Sequence, residues 1–127
     1  MISCVWIFTL IMDLLFPIVM IILGNKYIKK VPDDMNGSDG HKTSMARKNR
    51  DTWEFAHHHD GKLLRIAGWI MLVFSLIVML FAIKEDTQIV EKLGTCLFIL
   101  QIVVLFGCVA LTERALRKVF DENGNRR

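Results

Sequence analysis

Hydrophobic positions in this chain gather into three nearly unbroken runs, 2–23, 66–83 and 93–111, separated by strongly polar stretches. The runs are 22, 18 and 19 residues long and contain a single charge, Asp13. Crossing about 30 Å of hydrocarbon at about 1.5 Å per residue takes about 20 residues. The pattern therefore predicts an all-α fold: one integral membrane domain of three helices over residues 1–127, with a loop at 24–65 and a tail at 112–127. No Lys or Arg precedes the first run, and the run exceeds the about 7 to 15 residues of a secretory signal core, so it reads as a retained membrane anchor.

The charges set an expected orientation. Nine basic residues (Lys26, Lys29, Lys30, Lys42, Arg47, Lys48, Arg50, Lys62 and Arg65) lie between the first two runs, and five follow the third. The connection after residue 83 holds only Lys84 and Lys92, beside Glu85, Asp86 and Glu91. Basic residues flanking spans are retained on the cytoplasmic side, so a multi-pass plasma-membrane protein with an outside N-terminus and a cytoplasmic C-terminus is expected. The net charge of +3 conceals this asymmetry. The lipid bilayer explains the basic loop better than direct nucleic-acid binding does.

A connection this short makes the second and third helices an antiparallel hairpin. Gly68, Ser75 and Ala82 then form one stripe, and Gly94, Gln101 and Cys108 another, because each set recurs every seven residues. Small residues of this kind let membrane helices approach closely. Asp13, Ser75 and Gln101 all count to mid-membrane, where an unpaired polar group is most costly, so they are expected to face one another or a second copy in a homo-oligomer. Asp13 needs a partner or a proton there. Its neutral carboxyl is expected to donate to Gln101 or to a backbone carbonyl. Pro17 lacks an N–H and so leaves the carbonyl of Asp13 without its helical donor at the same depth. Either an interhelical hydrogen bond or a proton- or ligand-responsive site fits this arrangement.

The loop divides near Lys42. Pro32, Asp33, Asp34, Asn36, Gly37, Ser38, Asp39 and Gly40 favour an irregular linker. From Thr43 or Ser44, either a suitable cap, no Gly or Pro interrupts the chain up to Asp60, which predicts a helix. Its face of Met45, Thr52, Trp53 and Ala56 is expected to lie in the headgroup layer, or to dock a partner. His57, His58 and His59 point about 100° apart on a helix, so no metal site is expected of them. A solvated polar face or a pH-sensing cluster fits the three histidines equally well. Cys4, Cys96 and Cys108 read as apolar filler, although Cys4 and Cys96 both fall near the outer helix ends. No phosphate loop, His-Glu metal motif or nucleophile elbow is present, and neither an enzyme nor a cofactor is expected.

The segment Gly40-His41-Lys42-Thr43, with Lys48-Asn49-Arg50-Asp51-Thr52-Trp53-Glu54-Phe55-Ala56-His57 and then Gly61-Lys62-Leu63, resembles the pattern of the SdpI family of bacterial immunity proteins. Pro32 and Asn36, and the tail from Phe120 to Asn125, are also similar to short members. The resemblance runs from about Gly24 to Arg127. His41 stands where the family has an aromatic residue, Lys42 where it has an arginine, and Ala46 where it has a serine. Longer members carry further spans, so the chain looks like a reduced form of their C-terminal module. The resemblance implies protection against a secreted, membrane-active toxin peptide, and for some members signal transduction by holding a cytoplasmic repressor at the membrane. On this reading the binding candidates are Gly40, Lys42, Thr43, Asn49, Trp53, Gly61 and Lys62. The competing reading is a small proton-coupled transporter or efflux subunit that uses Asp13. An accessory subunit of a larger complex is a third.

Overall fold

The computed structural model describes residues 3–33 and 43–127 and contains three helices: α1 (Cys4–Lys29), α2 (Arg50–Phe81) and α3 (Thr87–Val119). All three are long and apolar enough to cross a membrane. At about 1.5 Å per residue, their 26, 32 and 33 residues give about 39, 48 and 50 Å, against about 30 Å of hydrocarbon. The excess of α2 lies at the end that carries the loop and the tail, while α3 runs past its apolar stretch at both ends. The protein is therefore a multi-pass membrane bundle with a helical extension on one side.

Each helix begins at a side-chain cap. The Ser3 hydroxyl accepts from Trp6 N at 3.0 Å, and the Asp86 carboxylate from Ile89 N at 3.0 Å. Asn49 accepts from Thr52 N at 2.9 Å while the Thr52 hydroxyl accepts from Asn49 N at 3.1 Å, a reciprocal pair that satisfies two amides at once. That pair decides where α2 starts. The expected separate helix from Thr43 or Ser44 does not form: Ser44–Arg47 is a turn in which the Thr43 hydroxyl accepts from Ala46 N at 3.3 Å, and α2 runs unbroken from Arg50 through Gly61 into the span. The Trp53 face consequently packs inward instead of lying in the headgroup layer.

α1 and α3 run parallel to each other and antiparallel to α2. Gly24 and Gly61 let α1 and α2 touch backbone to backbone, since a Cβ added at Gly24 would stand 2.6 Å from the carbonyl oxygen of Gly61. Gly68 receives Ile21 in the same way, and Gly94 receives Thr9. Both heptad stripes, Gly68, Ser75 and Ala82 with Gly94, Gln101 and Cys108, are buried. Outward faces carry exposed Phe, Ile, Leu and Val along all three helices, among them Phe8, Ile70, Phe81 and Phe106. Only 22–28% of each span is buried in the bundle. Such a surface suits lipid and would aggregate in water.

Candidate functional site

Three levels of the bundle hold the candidate residues. At mid-span the Gln101 amide nitrogen donates to the backbone carbonyl of Asp13 at 2.7 Å and to the Ser75 hydroxyl at 3.1 Å. All three residues are buried, as expected from their depth. The detail differs from the expectation for Asp13. Its backbone oxygen, released by Pro17, is the acceptor, and its carboxyl is not the donor to Gln101. The Asp13 Oδ2 is buried without a hydrogen-bond partner and stands 3.3 Å from the position a Cβ on Gly94 would take.

The second level is the end formed by the loop and the tail. Trp53 is 0% exposed, in a cluster with Val31, Met45, Ala46, Ala56, Leu116 and Phe120. Its indole N–H donates to the carbonyl of Pro32 at 2.7 Å, which ties the start of the loop to α2. The ring also lies 4.2 Å from that of His57, whose Nδ1 contacts the Trp53 carbonyl at 2.8 Å. The three consecutive histidines therefore separate: His57 enters the core, His58 faces out, and His59 bonds the Thr112 hydroxyl at 3.0 Å and stacks on Phe55. A uniformly solvated histidine face does not exist. Thr43 bonds Glu113 of α3, and Ala46, standing where the resemblance has a serine, is fully buried with its carbonyl accepting from the Thr52 hydroxyl at 3.0 Å.

The tail completes this end. After Val119 the chain turns at Gly124, whose φ of +83° suits glycine, and returns so that Phe120 bridges Arg126. Asn49 Nδ2 donates to the carbonyl of Gly124 at 2.8 Å. Arg126 forks onto Asp51, with Nε and Nη2 each at 2.9 Å from a carboxylate oxygen, and lies over the Phe120 ring at 4.9 Å. Donation to the Asp51 carboxylate pushes the Arg126 guanidinium further towards its charged form. A cleft of about 330 Å³ remains between the loop (Ser44, Met45, Lys48) and the tail (Arg117, Asp121, Arg127). Nothing in the sequence tied Asp51 to Arg126. The available signal was Asn123-Gly124, a turn dipeptide that lets the tail double back.

The candidate residues thus divide by role. Asn49 caps α2, Trp53 fills its core, Gly61 admits α1, and Lys62 is exposed. Gly40 and Lys42, with His41, lie outside the described residues. Thr43, Asn49 and Trp53 are brought together at the loop end, whereas Asp13, Ser75 and Gln101 form a separate group within the span. The third level is an apolar groove of about 580 Å³ between α1 and α3 near the hairpin end, lined by residues that include Phe8, Phe98 and Asp13.

The segment around Trp53, the rest of α2 and most of α3 are the part of the chain that known proteins share. The model of the SdpI/YfhL protein family matches residues 34–112, well over half of the sequence. The chain belongs to that family. No curated protein and no solved structure matches it significantly. The match begins within the loop and ends at Thr112, so it takes in the capping box, Trp53, Gly61, Ser75 and Gln101. α1 with Asp13, and the tail from Glu113, lie beyond it.

Proposed function

We propose that this SdpI-family protein is a membrane immunity protein that confers resistance to a secreted antimicrobial toxin peptide. It acts by binding, with no catalytic step. Family membership carries the reading, and the matched segment supplies the capping residues Asn49 and Thr52 and the buried Trp53 of the loop end. In the proposed orientation the N-terminus and the α2–α3 turn face outside, and the loop and tail face the cytoplasm. The structure's gathering of loop and tail at one end supports this, since the basic residues flanking the spans then share one side.

Toxin engaging the outer half of the bundle would be reported to the other side by the rigid helices. The cytoplasmic end offers a cleft edged by Lys48, Arg117 and Arg127, with Asp121 and Glu122 beside them, where a repressor could dock. The experiment is survival of a sensitive host that expresses the chain and is challenged with toxin peptides of this family's systems. Wild type is expected to protect. Trp53→Phe, which keeps the core ring and removes the indole N–H bond to Pro32, tests the loop without emptying it. One observation favours the second reading, a proton-coupled transporter: the buried Asp13 Oδ2 has no partner. That reading requires Asp13→Asn to abolish function together with its dependence on a proton gradient.

A further inference from the structure

The α1–α3 groove has the construction of a ligand site. Phe8, Met12 and Phe98 form apolar walls that are open to the lipid side, and Gly94 leaves the floor free of a side chain. Asp13 closes the inner end: it is 3% exposed, it lines the groove, and its Oδ2 has no hydrogen-bond partner. Burying a carboxylate oxygen unpaired is costly, and a donor arriving through the groove would relieve it. Glu91, one turn before Gly94 on α3, stands at the mouth, and none of the described lining residues is basic. Two acidic side chains with no basic one favour a cationic head group. The walls select for an apolar body.

We propose that this groove binds a lipophilic primary amine, its ammonium group donating to Asp13 and its hydrocarbon body lying between Phe8 and Phe98. An aminophospholipid carries the same ammonium, but its phosphate would enter past Glu91 with no basic side chain to meet it. A free amine fits better. The site stands apart from the loop end, so it holds whether or not the chain confers immunity.

The full chain in phosphatidylcholine nanodiscs, titrated with radiolabelled dodecylamine against empty nanodiscs, tests the proposal. Saturable binding of one amine per chain is expected, weakened about tenfold or more by Asp13→Asn. Dodecanol or dodecanoate should compete poorly. Thr95→Phe, at an exposed lining position, should block the groove without touching the core, and it decides the matter if Asp13→Asn fails to fold. Binding no greater than in empty nanodiscs, equal competition by dodecanol, or a folded Asp13→Asn that binds unchanged would each overturn the proposal. So would displacement of the amine by phosphatidylethanolamine added to the nanodiscs, which would make the groove an aminophospholipid site.

Discussion

The side-chain amide of Gln101 donates at 2.7 Å to the backbone carbonyl of Asp13, the oxygen that Pro17 strips of its helical donor. A helix defect in α1 is thus repaired from α3, and the same nitrogen reaches Ser75 of α2 at 3.1 Å. One residue links all three spans at a depth where no water is available to substitute.

Gln101→Leu should therefore destabilise the bundle, by about 1 to 2 kcal/mol on the scale of interhelical hydrogen bonds in membranes. Unfolding in mixed micelles by a denaturing detergent would measure it. Ser75→Ala should cost less, because Gln101 keeps its bond to Asp13. An equal loss from the two variants would contradict the assignment of the Asp13 carbonyl as the main acceptor.

Close helix contact makes a second prediction. Gly24→Ala sets a methyl group against the Gly61 carbonyl and Arg65 backbone, whereas Gly107→Ala meets nothing within 4 Å. The first should cost about 1 to 3 kcal/mol through forced separation of α1 and α2. The second should be neutral. The same unfolding measurement distinguishes them.

Trp53 was expected at the membrane surface and is instead the largest fully buried side chain. Trp53→Ala should cost about 3 to 5 kcal/mol and deplete folded protein. Trp53→Phe should fold, with a smaller loss from the bond to Pro32. Protein levels in the membrane, compared for the two variants, check this directly.

Asn49 serves α2 and the tail together. Asn49→Ala should remove the cap at a cost of about 1 to 2 kcal/mol. It should also release the return turn at Gly124, seen as faster amide exchange at Gly124 and Arg127 and faster tryptic cleavage after Lys118. Arg126→Ala should loosen the tail while leaving the helices unchanged, because the Asp51–Arg126 pair is exposed.

The three spans were legible because lipid imposes length and apolarity on every turn, and the heptad stripes were legible because close packing demands small residues at regular spacing. The polar trio was legible for the same reason: depth alone brings Asp13, Ser75 and Gln101 to one level. The start of α2 was less so. Thr43, Ser44 and Asn49 are all acceptable caps, and only the reciprocal bond with Thr52 and the packing of Ala46 and Trp53 select Asn49. A largely apolar face holding a Trp looks alike whether it meets lipid headgroups or the return of the chain through Pro32 and Phe120. The tail contacts depend on pairs 75 residues apart, such as Asp51 with Arg126, which local pattern does not encode.

The central claim is protection through the family's loop end. The most direct measurement is survival of a sensitive host under toxin challenge, with wild type, Asp13→Asn and the exposed-surface variant Lys48→Ala/Lys62→Ala present at equal membrane levels. The account predicts protection by wild type and by Asp13→Asn, and reduced protection by the lysine variant. Absence of protection from wild type, or protection lost with Asp13→Asn and retained by the lysine variant, would contradict it.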